Sequence, residues 1–345
     1  MRVLPALFVL VSLLIGGSAL AEPTRQLTHR DRLYDTAGFG SDLYAVGHPG
    51  LLLRSQDGGK TFSSVRAGLT DEALFSIAFN AKGQGAIVGR SGIALTTSDG
   101  GKTWQKTLVK LGDDKPSLFS VAVLPSGTLV ATGEFGTIVR SEDQGKTWSR
   151  SSYSIAVEPA APGQSAAACP AAEATDHSND DVMQEARLND VAFADENTGF
   201  IVAEFGLVLR SSDGGRSFKR QNSCTDKMLY SVSVISPTRA IVVGADGTAL
   251  ETSDGGINWS ARETSTAEHL YGVYATDKHL IAIGAAGVAL VRDASGPFKV
   301  VSTGVHGWLA SAYLNDAGKG LIVGGRGYLR TTQDGGNTQQ RVFGE

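Results

Sequence analysis

Short alternating apolar segments recur along the chain, each opening on leucine and each followed by glycine-rich polar turns. Seven of them begin at Leu33, Leu74, Leu118, Leu188, Leu229, Leu270 and Leu309. Leu74-Phe-Ser-Ile-Ala-Phe79 and Leu229-Tyr-Ser-Val-Ser-Val234 carry the pattern most clearly. A period of two, rich in Val, Ile and aromatics, predicts strands. Two residues after each leucine stands a small or short polar residue: Asp35, Ser76, Ser120, Asp190, Ser231, Gly272 and Ser311. Small side chains at matching positions predict strands converging on a narrow axis.

A second apolar run follows, as in Gly85-Ala-Ile-Val-Gly89 and Arg239-Ala-Ile-Val-Val-Gly244. It ends in a Gly-x-x-Gly turn in every unit but the fourth, where Ala203 replaces the first glycine and Gly206 is kept. Such turns predict positive φ at the glycines. A third strand then enters a Ser/Thr-x-Asp-Gly-Gly-x-Thr-Trp-like turn. Clear copies are Arg54-Ser-Gln-Asp-Gly-Gly-Lys-Thr-Phe62, Thr96–Trp104, Arg140–Trp148, Arg210–Phe218 and Glu251–Trp259. Asp293–Phe298 and Thr331–Thr338 are degenerate.

The carboxylates of Asp57, Asp99, Asp143, Asp213, Asp254 and Asp334 are expected to accept N–H groups of their own turns. Trp104, Trp148 and Trp259 are expected to pack back on their own hairpins. These Asp boxes therefore read as structural staples.

The leucines are spaced 41, 44, 70, 41, 41 and 39 residues apart. Four-stranded units repeating at this period predict an all-β, seven-bladed β-propeller of antiparallel blades, a single domain over 22–345. The long interval holds an insertion, 152–187, rich in Ala, Pro and Ser. It reads as a surface loop with little structure of its own. Asp176-His-Ser-Asn-Asp180-Asp181 within it lacks the glycine and terminal glutamate of a calcium loop.

The first 21 residues pair one early positive charge with an apolar run and close on Ala19-Leu-Ala21. They read as a secretory signal peptide, giving a mature start near Glu22 and a periplasmic protein that does not itself span the membrane. An uncleaved anchor is the competing reading, for which the apolar run is short. Cys169 lies in the insertion and Cys224 in the next connection between blades, on the same expected face. A disulfide fits an oxidising compartment, with two free thiols as the alternative. A net charge of −4 with interspersed signs lacks the basic footprint of a nucleic-acid binder.

No catalytic pattern emerges. The six histidines form no i, i+4 pair and accompany no cysteine pair, so no metal or cofactor is expected. Neither a Gly-x-Ser-x-Gly elbow nor a Walker loop is found. A glycosidase needs two positioned carboxylates, and most aspartates here sit in the boxes. The Arg-Ile-Pro-type element of sialidases is not found, since Arg2-Val-Leu-Pro lies in the signal segment.

The longer repeat is more specific than the box. Gly133-Glu-Phe-Gly-Thr-Ile-Val-Arg-Ser-Glu-Asp-Gln-Gly-Lys-Thr-Trp148 carries it best, with Leu207-Val-Leu-Arg-Ser-Ser-Asp-Gly-Gly215 next. It resembles the photosystem II stability/assembly factor propellers (BNR/Asp-box repeats) of cyanobacteria and chloroplasts, whose relatives also occur in non-photosynthetic bacteria. The resemblance implies an exported, non-catalytic propeller that holds a membrane-protein precursor during assembly. In a photosynthetic organism its compartment would be the thylakoid lumen. It also implies that blade arginines contribute to partner binding, here Arg54, Arg140 and Arg210. Thr96, Glu251 and Thr331 depart from that set, with Arg330 just before the last.

Strand order places the boxes on one face and the Gly-x-x-Gly tips, with the connections between blades, on the other. The tips vary most, and variable tips on a fixed frame are where function tends to sit. Phe135 and Phe205 are the candidate anchors, ringed by Arg90, Glu134, Glu204 and Arg326. Folding back onto the blades is the alternative for both rings. The expected function is a monomeric interaction scaffold or assembly factor for a membrane complex. The alternative is a glycan-binding or sialidase-like propeller.

Overall fold

The computed structural model describes residues 27–65, 70–157, 184–293 and 296–343. The signal segment, Glu22, Cys169 and the stretch 176–181 lie outside them. The chain forms seven sheets, each built from consecutive strands and packed face to face around an axis. The innermost strands are Arg32–Phe39, Leu74–Phe79, Leu118–Val123, Leu188–Phe193, Leu229–Ser236, Leu270–Ala275 and Leu309–Leu314. The fold is thus a seven-bladed β-propeller.

Six blades have four antiparallel strands, and blade 4 has five. Its extra strand, Ser152–Val157, runs parallel to the outermost strand Ser217–Gln221. This corrects the reading of the insertion as structureless from its first residue. Ser217–Gln221 is a longer outer strand than its two-residue counterparts Ser149–Arg150 and Ser260–Ala261. A long bare edge offers unpaired backbone groups, and the chain covers it with the segment that precedes the blade in sequence.

The residues near the axis do more than stay small. In each innermost strand the register shifts between the leucine and the short polar residue. That polar side chain then accepts an amide of the following blade. Asp35 accepts from Ile77 N at 2.9 Å, Ser76 from Val121 N at 3.3 Å and Ser120 from Val191 N at 3.2 Å. Asp190 accepts from Val232 N at 2.9 Å and Ser231 from Val273 N at 3.3 Å. Ser311 donates to Asp35 at 2.6 Å, bringing blade 7 to blade 1. Only Gly272 is set by space, because a Cβ there would lie 2.4 Å from the Ala310 carbonyl oxygen.

Burial raises the Asp35 carboxyl to about 6 against the bonds from Ser311, Ile77 and Thr36, and it raises Asp190 as well. A carboxyl whose pKa is raised by folding favours the folded state in its protonated form. Stability should therefore rise as pH falls through about 6. The gain is complete only below the unfolded value near 4. The box carboxylates oppose this, but Asp99 and Asp143 are held near 2 by hydrogen bonds led by the Thr103 and Thr147 hydroxyls. They release their stability only below about pH 4. We expect Asp35→Asn to flatten the rise in melting temperature between pH 7.5 and 5. An unchanged slope would contradict the assignment to Asp35.

The disc closes without a shared blade. Blade 7 is made wholly of residues 309–343, and it meets blade 1 through packing. Leu27, Leu33, Leu51 and Leu53 bury against Leu321, Val323 and Leu329. Gly327 N donates to the Asp31 carbonyl at 2.8 Å.

Candidate interaction site

The box face is fixed by repeated chemistry. Asp99 Oδ1 accepts Thr103 N at 3.0 Å and the Thr97 hydroxyl at 2.7 Å, while Oδ2 accepts the Thr103 hydroxyl at 2.6 Å. Asp57, Asp143, Asp213 and Asp254 repeat the arrangement, with Ser217 replacing the threonine in blade 4 and Asn258 in blade 5. Asp334 does the same, so the last copy departs from the others only in the residue that follows. The box aromatics meet the expectation only in part. Trp104 lies against Tyr44 and Leu52 of blade 1, and Trp259 meets Phe200 of blade 4 edge-on at 5.8 Å. These two reach toward the preceding blade, Trp104 while also meeting Phe79 of its own blade, whereas Trp148 folds back as expected, its Nε1 donating to the Gly145 carbonyl of its own turn at 3.1 Å.

The three consensus arginines also lie toward this face, and Arg54 and Arg140 are held by hydrogen bonds within the fold. Arg54 is bidentate to Asp42, at 2.9 and 2.5 Å. Arg140 is buried, bonds the Gly214 carbonyl of blade 4 at 2.9 Å, and pairs with Glu142. Arg210 is half-buried beside Gly255 of blade 5. Glu251, at the consensus arginine position, pairs with Arg262 at 2.7 Å and with Arg292 of blade 6. Burial pushes its carboxyl up, but the bonds from Arg292 and Arg262 prevail and hold it below the usual range. A cavity of about 560 Å³ opens beside this cluster, next to the shortened box of blade 6.

The opposite face carries the tips. In blade 3 the Glu134 carbonyl accepts Thr137 N at 3.1 Å, and Phe135 and Gly136 have φ of 52° and 60°. Two left-handed central residues make a type I′ turn, the form that matches strand twist. Ser91, Phe205, Asp246, Ala286 and Arg326 take the same left-handed position. The first glycine of each tip, by contrast, is extended, as at Gly89 with φ −167°. It is glycine because a Cβ would lie 2.1 Å from the Ala73 carbonyl of the incoming connection. Expecting positive φ there was wrong. With Ala203 in that place, the Glu204 N to Arg187 O bond is 3.3 Å, close to the 3.2 Å of Glu134 N to Ser117 O at a glycine tip.

Left-handed geometry costs an L-residue about 1–2 kcal/mol, and phenylalanine has no side-chain oxygen to offset it. Phe135 is nevertheless 72% exposed and Phe205 38%. On neighbouring blades, Phe135 stands out into solvent, while Phe205 is more than half covered. Arg90 is exposed on the next blade. Glu134 accepts Ser117 N at 2.8 Å and Glu204 accepts Arg187 N at 3.0 Å, so both brace the incoming connections. Arg326 belongs to blade 7, three blades from Phe205, and does not ring the pair.

Sequence reading missed a second set of aromatics on this face. Tyr34, Phe75 and Phe119 follow the leading leucines of blades 1–3 and touch ring to ring, at 5.5 and 5.8 Å. Trp308 stacks on Tyr34 at 6.0 Å, and Tyr230 meets Tyr271 at 5.3 Å. The signal was the aromatic after five of the seven leucines, which alternation alone assigns to strand packing.

These features define an Asp-box β-propeller whose charged groups are largely spent on holding blades together and whose exposed aromatics gather on one face. Its repeats resemble those of the photosystem II assembly factor family. The family model for photosynthesis system II assembly factor YCF48 matches residues 68–176, about a third of the chain. Comparison with curated protein sequences gives no match.

Among solved structures, one described as YCF48 bound to D1 peptide superposes with a TM-score of 0.66 at 19% identity. The alignment covers 88% of this chain and 94% of that one. YCF48 from Cyanidioschyzon merolae gives 0.66 at 16% identity, covering 90% and 97%. The GH74 xyloglucanase from Xanthomonas campestris gives 0.67 at 13% identity, covering 91% of this chain and 54% of that enzyme. At these identities the structures show a shared fold.

Proposed function

We propose that the chain is an exported, non-catalytic scaffold that holds an extracytoplasmic segment of a membrane protein or membrane complex. The carrying observation is the pair of strained, exposed tips at Phe135 and Phe205. A fold keeps a left-handed phenylalanine in water only if something else selects it, and such strain clusters at ligand clamps. The likeness to a propeller described with a bound D1 peptide supports a peptide segment as the ligand class. A glycan-cleaving role has less support. Asp190 already accepts from Ser120, Ser231, Val191 and Val232, and Asp35 from three donors, so neither is free to serve an incoming sugar.

The test is a pull-down from solubilised membranes with tagged mature protein, read by mass spectrometry against an unrelated propeller. Enrichment of one membrane protein or complex is expected. Equal profiles for the two baits would reject the reading.

Export also bears on the cysteines. Cys224 is disulfide-bonded, while Cys169 lies outside the described residues. We place the bridge between them. Replacing both by serine should lower stability by about 2–4 kcal/mol. Free thiols in the protein recovered from the periplasm, found by non-reducing peptide mapping, would remove the bridge.

A further inference from the structure

On the tip face Tyr34, Phe75 and Phe119 each directly precede a residue that lines the axial channel, and with Trp308 they form a collar-like run of touching rings beside it. All four rings are half-buried, with part of each surface left to solvent. One residue further into the disc lie Asp35 and Asp190, beside this axial channel of about 300 Å³. Its described lining consists of small apolar groups, hydroxyls, aromatic rings and these two carboxylates, and includes no lysine, arginine or histidine. Both carboxylates are hydrogen-bonded and raised by burial, and no cation lines the channel beside them to answer the charge they carry when ionised.

We propose that this mouth receives an arginine or lysine side chain of the bound partner, stacked by the collar and drawn by the charge of Asp35 and Asp190 beneath it. The proposal rests on the scaffold reading and names what the scaffold selects. Aromatic faces attract cations because of their negative quadrupole, and guanidinium in particular. Carboxylates behind low-dielectric walls focus the same preference. The chain itself shows the contact, since the Arg187 guanidinium lies 4.0 Å from the centre of the Phe119 ring. A purely apolar segment would leave the channel charge unanswered, and an anionic membrane surface would be repelled by it.

The test uses the mature protein, 15N-labelled, with the Trp308 indole N–H as reporter, assigned by its loss in Trp308→Phe. N-acetyl-arginine amide, N-acetyl-lysine amide and N-acetyl-leucine amide are titrated in turn. Saturable shifts with the two cations and none with the leucine compound are expected. Phe75→Leu and Tyr34→Leu keep the apolar volume and should each weaken arginine binding about two- to fivefold. Asp35→Asn should weaken it as well. An equal response to leucine would overturn the proposal, as would no saturable response to arginine or unchanged affinity in Phe75→Leu. If the pull-down succeeds while arginine gives no response, only the basic side-chain site falls. If arginine binds while no partner is enriched, the site stands and the scaffold reading falls.

Discussion

Replacing Phe135 and Phe205 together by glycine is expected to raise the melting temperature and abolish partner recovery. Glycine takes the left-handed tip without the Cβ clash, so each change should stabilise by about 1 kcal/mol. Little packing is lost in return at Phe135, which is 72% exposed, while Phe205, 38% exposed, gives back more of its gain. Binding should move the other way. Exposed aromatic anchors that become buried in an interface are worth about 2 kcal/mol or more each. Together that is on the order of a thousandfold in affinity. Thermal melts and the membrane pull-down read the two effects separately. A lower melting temperature would show that the rings are structural. Undiminished recovery of the partner would move the binding surface to the side of Arg54, Arg140 and Arg210.

The reverse pattern is expected for Trp104→Ala. The indole is 9% exposed, meets Phe79 edge-on at 5.9 Å and packs with Tyr44 and Leu52 of the neighbouring blade. Its Nε1 makes no hydrogen bond, so its contribution is almost wholly apolar. Removing a packed Trp typically costs about 3–5 kcal/mol, and here the cavity would open between two blades. Urea unfolding should show that loss, while the folded fraction retains its partner. A midpoint matching the wild type would mean that the box aromatics are not interface residues.

The blade count was legible because seven leucines and five clear boxes repeat at one period, and such repetition has few physical solutions. The glycine at each tip was legible as a position, but only half of its reason was. Gly92 needs positive φ, whereas Gly89 needs room for a carbonyl from a segment sixteen residues earlier. Contacts between distant segments leave no local trace. Asp35 looked like one more small residue because its partners, Ile77 and Ser311, belong to other repeats. Phe135 stood out in sequence as an aromatic at a turn, while Phe75 and Phe119 did not, since an aromatic within an alternating strand is ordinary. Glu251 looked like a lost arginine until Arg292 of the next blade was seen to carry the exchanged charge.

The closure between blades 7 and 1 makes the disc a split washer. Every blade is complete from its own stretch of chain, so a growing or translocating polypeptide can finish them in order, each new sheet seating on the one before. Only the last joint must bring together residues far apart in sequence, and it alone has no peptide linker across it. Leu27, Asp31, Asp35 and Ser311 are therefore the latch of the assembly. Under strain the washer should spring there first, with amides flanking Gly327 exchanging ahead of those at the six linked joints.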